Sequence, residues 1–70
     1  MLAERLRLLR KENGLTQIQA AKRIGLSIRA YQDLELGGMP RSNNLLVIAE
    51  FYDISVDWLL GRTEKREVNR

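Results

Sequence analysis

Behind Ser27 the chain sets an isoleucine, an arginine, a glutamine and an aspartate, Ile28, Arg29, Gln32 and Asp33, at i, i+1, i+4 and i+5. If this stretch is a helix with Tyr31 and Leu34 turned inward, those four side chains share the opposite face. Their chemistry is hydrogen bonding. A guanidinium can donate a parallel pair of bonds to a guanine edge, and a primary amide can match adenine. Ile28 either meets a thymine methyl or folds inward as a staple. Asp33 repels phosphate, so it accepts from cytosine, orients Arg29 across one turn, or points away; an i, i+4 pair with Arg29 is the simplest of these. The alternative for the whole face is an ordinary solvated helix surface.

Other kinds of chemistry find few residues. The sequence has no histidine and no cysteine, which removes the commonest general base, the commonest metal ligand and any disulfide. Nine carboxylates remain, but no glycine loop that could cradle phosphate opens a helix: Gly37 and Gly38 stop one. The sequence therefore predicts no enzyme, no catalytic residue, no cofactor and no metal. The longest apolar run, Leu45 to Ala49, is far short of the roughly 20 residues of a membrane span. The start has no cationic segment leading into an apolar one, so the expected location is the cytoplasm. No surface aromatic platform for splayed RNA bases stands out.

Charge points to a polyanion. Residues 1–41 hold eight basic and four acidic side chains, residues 42–61 none and three, and residues 62–70 four and two. A basic excess in the first half suits a nucleic acid partner, though a solvated surface would look the same. Gln17 and Ser27 stand at predicted helix N-termini, where free backbone N–H groups favour phosphate; Ser27 is also a cap and Gln17 an ordinary first-turn residue. Arg41 and Asn43 are weaker phosphate candidates, and Lys22 and Arg23 read as a solvated face.

The elements that must position these groups follow from periodicity. Leu2, Leu6 and Leu9 mark an amphipathic helix over 2–12, ended by Asn13-Gly14. Thr16-Gln17-Ile18-Gln19 fits a capping box opening a helix to about Ile24. Ser27 caps a third helix to about Leu36, a fourth is capped near Ser42 and covers Asn44 to Tyr52, and Ser55 caps a short turn from Val56 to Leu60. No strand pattern occurs. The expected fold is all-α, with five short helices in one compact bundle over 1–61 and a charged, flexible tail over 62–70.

The second and third helices flank a turn centred on Gly25, with Ala20, Ala21, Ile24, Leu26, Tyr31 and Leu34 as interlocking apolar positions. That arrangement is a helix-turn-helix. The chain resembles the phage repressor and Cro-like (Xre) helix-turn-helix family over about residues 2–62. Leu15-Thr16-Gln17, Ala21, Gly25-Leu26-Ser27, Leu34-Glu35-Leu36-Gly37, Pro40 and the closing Ile54-Ser55-Val56-Asp57-Trp58-Leu59-Leu60-Gly61 carry the likeness. The resemblance implies a lambda-repressor-like domain that binds double-stranded DNA to regulate transcription, as a repressor, with the third helix in the major groove. It further implies a backbone clamp at Gln17 and an Arg10–Glu35 ion pair. It also implies a homodimer through the last helix (Val56, Trp58, Leu59), although a lone tryptophan in such a helix is more simply a core anchor. Three departures stand out. Tyr31 replaces the family's isoleucine or valine, and Ala20 its leucine, which suggests that the ring fills the space the alanine leaves. The Gly37-Gly38-Met39 loop is one residue short and lacks the basic residue often found there. The rival reading is a protein-interaction module, such as an antitoxin or adaptor, on the same fold.

Overall fold

The computed structural model describes residues 1–68. Five helices follow one another: α1 Leu2–Glu12, α2 Gln17–Ile24, α3 Ile28–Glu35, α4 Ser42–Tyr52 and α5 Val56–Leu59. Strands are absent among the described residues. The expected all-α bundle is what forms.

Three of the five helices, α2, α3 and α5, begin where a side chain satisfies free N–H groups. Thr16 and Gln19 close a reciprocal capping box, Gln19 N–H donating to Thr16 Oγ1 at 3.1 Å and Thr16 N–H to Gln19 Oε1 at 2.9 Å. Ser27 accepts from Ala30 N–H at 3.1 Å and Ser55 from Trp58 N–H at 3.3 Å. Helices α1 and α4 have no side-chain cap bond. In α4, Ser42 lies inside the helix as its first residue, and Arg41 holds the cap position. Arg41 has the extended backbone of a cap residue, φ −68° and ψ 157°, so the helix starts one residue earlier than the serine suggests.

The turn between α2 and α3 needs glycine. Gly25 sits at φ 93°, a left-handed conformation that costs other residues. There Gly25 and Leu26 N–H both reach the Ala21 carbonyl at 2.9 Å. Gly61 is a second such case: φ is 77°, and a Cβ added there would stand 2.5 Å from Met1 Cγ.

One core holds the helices together. Leu6, Leu9, Ala20, Tyr31, Ile48 and Leu59 are essentially without solvent contact, and Trp58 is buried among them. Tyr31 and Ala20 thus share that core, as volume compensation requires. Burying a side chain of leucine size contributes roughly 1.5–3 kcal/mol.

Residues 62–68 lie against the body. Arg5 donates to the Thr63 carbonyl at 3.1 Å and pairs with Glu64, and Ser55 N–H reaches the Arg66 carbonyl at 2.8 Å. Arg66 pairs with Glu12 at 2.7 Å. The guanidiniums of Arg5 and Arg66 stand 4.6 and 4.7 Å from the Trp58 ring centroid. Of the stretch 62–70 expected as a charged, flexible tail, the described residues 62–68 thus have part of their charge engaged in contacts with α1 and α5, and residues 69 and 70 lie outside the described residues.

Candidate nucleic-acid interface

Helix α3 is attached to the body by one side only. Tyr31, Leu34 and Glu35 are buried, while Ile28, Arg29, Ala30, Gln32 and Asp33 are exposed. The division follows from helical spacing: three inward positions at i, i+3 and i+4 leave the remainder facing out. Ile28, for which two fates were open, keeps 37% of its surface. It lines a shallow groove with Leu15, Thr16, Gln17, Ile18 and Gln32, so it is a surface residue and not a staple. Ile18, at 65% exposure, lies in the same groove.

Arg29 carries no ion pair within 4 Å among the described residues, so the expected pairing with Asp33 does not form. On an exposed helix such a pair gains only about 0.2–0.5 kcal/mol, too little to hold two mobile side chains together. The guanidinium keeps all its donors for a partner. Asp33 instead lines a second groove with Ala30, Gly38, Met39, Pro40, Arg41 and Asn44. The structure thus brings Arg41 beside the outer side of α3. Asn43 is exposed on the first turn of α4 but is not part of that groove. Asn44, which sequence reasoning did not single out, takes the place instead.

The inner side of α3 is anchored by polar contacts. Glu35 is 3% exposed and receives a bidentate clasp from Arg10, Nε to Oε2 at 2.7 Å and Nη2 to Oε1 at 3.2 Å. The ion pair implied by resemblance is present. Arg10 also donates to the Leu15 carbonyl at 3.1 Å, which ties α1 to the entrance of α2. Gln17 Nε2 donates to Glu35 Oε1 at 3.1 Å, and Gln32 Nε2 donates to Gln17 Oε1 at 3.3 Å. Gln17 is therefore bonded inward to the anchor and outward to α3. Arg7 donates to the Glu35 carbonyl at 3.2 Å, closing the C-terminal end of α3. Sequence reasoning missed Arg7; its signal is that it stands three residues before Arg10 and so shares a face with it.

Electrostatics follow the geometry. Burial by itself would raise the Glu35 pKa, but the bonds from Arg10 and Gln17, with the Tyr31 hydroxyl beside them, outweigh it and hold the carboxyl below its usual range. Arg10 is raised in turn by Glu35. Tyr31 is pushed up, first by burial and then by the neighbouring carboxylate. Its hydroxyl, like that of Tyr52, is buried without full hydrogen-bond geometry to any described group.

The last helix does not offer the face expected of it. Trp58 and Leu59 are 5% and 0% exposed and belong to the protomer's own core, which leaves Val56 as the half-buried member of that trio. Exposed apolar side chains lie instead on α4, at Leu46, Val47 and Phe51. No described helix is long and apolar enough to cross a membrane.

Known proteins share this pattern. Residues 6–59 match a helix-turn-helix family profile. The chain is 40% identical over 65 residues to the HTH-type transcriptional regulator YobD of Bacillus subtilis, covering 91% of this chain and 58% of that protein. It is 44% identical over 62 residues to the cryptic phage CTXphi transcriptional repressor RstR of Vibrio cholerae, covering 87% and 55% respectively. To YqaE, another B. subtilis HTH-type transcriptional regulator, it is 38% identical over 69 residues, covering 97% and 60%. The chain spans somewhat over half the length of these relatives. Profile, relatives and the α2–turn–α3 geometry agree: the chain belongs to the helix-turn-helix family.

Proposed function

We propose that this chain binds duplex DNA sequence-specifically and regulates transcription, as a repressor, by laying α3 in the major groove. The observation that carries the reading is the one-sided attachment of α3. A buried ion pair and an aromatic core hold its inner side, while Ile28, Arg29, Gln32 and Asp33 are exposed on the outer one. Arg29 reads guanine, Gln32 contributes an amide, and Ile28 supplies an apolar contact suited to thymine. Gln17, Ser27, Arg41 and Asn43 contact phosphates on either side, Gln17 and Ser27 at helix N-termini. Binding requires neither catalysis nor a cofactor, and the family to which the chain belongs is not an enzyme class.

A single short helix reads few base pairs, and a second copy doubles the site. A two-fold pair would set two copies of α3 about 34 Å apart on one face of the duplex. Val56, together with the exposed α4 residues Leu46, Val47 and Phe51, offers an apolar surface for that contact.

Selection of bound sites from random duplex DNA tests the reading. A defined, near-palindromic site is expected, with affinity falling steeply as salt rises. Binding indifferent to sequence, or Arg29→Ala binding the selected site as well as the parent does, would refute it.

A further inference from the structure

The chain of donors from α3 to the core runs in one direction, and that direction has a consequence for base choice. Glu35 is a carboxylate and can only accept. Arg10 fills both of its oxygens, and Gln17 adds a third donor to Oε1 at 3.1 Å. Turned the other way, Gln17 would set its own carbonyl oxygen against the buried carboxylate. The NH2 group of Gln17 must therefore face inward, which leaves its Oε1 facing α3. Gln32 can meet that oxygen only with its own NH2 group, as observed at 3.3 Å. One hydrogen of the Gln32 amide is thereby engaged, and its Oε1 and second hydrogen are left facing outward on an exposed side chain.

We propose that Glu35, acting through Gln17, fixes which way round the Gln32 amide faces, so that Gln17 is a positioning residue that makes Gln32 a reader of adenine against guanine. The adenine edge offers one donor and one acceptor, N6–H and N7, which match Oε1 and the free N–H of Gln32. The guanine edge offers two acceptors, O6 and N7. To bind it, Gln32 would have to break its bond to Gln17 or set oxygen against oxygen. Arg29, unpaired and rich in donors, suits guanine, so neighbouring residues of α3 divide the purines between them. This inference rests on the reading of α3 as the base-contacting helix.

The experiment is site selection from random duplex DNA with the full chain, its Gln32→Ala variant and its Gln17→Met variant, each checked for an unchanged helical spectrum. Methionine keeps the length of Gln17 without its bonds; Gln17→Ala repeats the test with a smaller side chain should methionine crowd the helix junction. Gln32→Ala identifies the base pair that Gln32 reads. At that pair the parent should favour adenine over guanine by about five-fold or more. Loss of the Gln17 amide should reduce that preference to within about two-fold while the other positions keep theirs. A Gln17 variant weaker on every sequence alike, with an unaltered base profile, would make Gln17 a phosphate contact and nothing more, and overturn the relay. So would a parent preference for guanine at that pair. A parent with no sequence preference at all would overturn the DNA reading and the relay together, whereas a defined site with a profile indifferent to Gln17 sinks the relay alone.

Discussion

Replacing Arg10 by methionine keeps most of the side-chain volume but strands the Glu35 carboxylate, 3% exposed, with Gln17 as its remaining side-chain donor of standard geometry. Removing one partner of a buried ion pair costs about 3–5 kcal/mol, because the other charge stays desolvated. A chain of this length has about 4–10 kcal/mol of stability in total, so the variant should stand near its folding threshold. With a urea slope of about 1 kcal/mol per molar, the midpoint should fall by about 3 M or more. Trp58, the sole tryptophan and buried, reports the transition by fluorescence. The pH dependence supplies a sharper signature. In the parent the Glu35 pKa is depressed, so its contribution is present above the ordinary carboxylate range and is lost as pH falls through the folded-state value. In Arg10→Met burial acts without the guanidinium, the pKa rises, and the variant should gain stability relative to the parent as pH falls from 7 toward about 4.5. Pairing Arg10→Met with Glu35→Leu should restore most of the loss by removing the stranded charge. A loss under about 1 kcal/mol at pH 7, or a gap between variant and parent that stays constant on acidification, would show that the pair does not anchor α3 in this way.

Arg29→Ala should leave urea stability within about 0.5 kcal/mol of the parent, since an exposed residue without an ion pair is being cut, while costing about 1–3 kcal/mol of discrimination at one base pair; a titration of matched and mismatched duplexes measures both parts. Arg66→Ala removes the stack on Trp58 and should cost about 0.5–1 kcal/mol, with a red-shifted Trp58 emission as the ring gains water; unchanged emission would mean that the tail does not cover the indole. Ala20→Leu should destabilise by about 1–3 kcal/mol through overpacking, because Ala20 and Tyr31 are both fully buried in one core; a raised melting temperature with Tyr31 unmoved in a crystal structure would show that the ring does not fill the alanine's space.

The helices were readable because their signals are local. Thr16, Gln19, Ser27 and Ser55 act on N–H groups within three residues, and Gly25 ends α2 through its own backbone angle. The inner and outer sides of α3 were readable for the same reason, since spacing determines face once a helix is granted. The start of α4 misled because Ser42 has the side chain of a cap, yet Arg41 holds that position with its backbone alone and Ser42 is the first helical residue.

What spacing cannot supply is the partner across a gap between elements. Periodicity makes Arg7 and Arg10 neighbours on α1 but does not say that one meets a backbone carbonyl of Glu35 and the other its carboxylate. Arg10–Glu35 was reached by resemblance alone, and Gln17–Gln32 was not reached at all. The tail shows the same limit from the other side. Arg66 looks like one more soluble charge in the sequence, yet it spans 54 positions to pair with Glu12 and lies over Trp58. That contact also bears on the last helix. An indole flanked by two guanidiniums and buried against α1 is no longer available to a second copy. Any two-fold contact must then use side chains that the fold leaves uncovered, such as Leu46, Val47 and Phe51 on α4 or Val68 beside Val56. Trp58 and Leu59, which close the monomer, are thus separate from Leu46, Val47 and Phe51, which it leaves uncovered, whereas Val56 packs against the core and belongs to both sets.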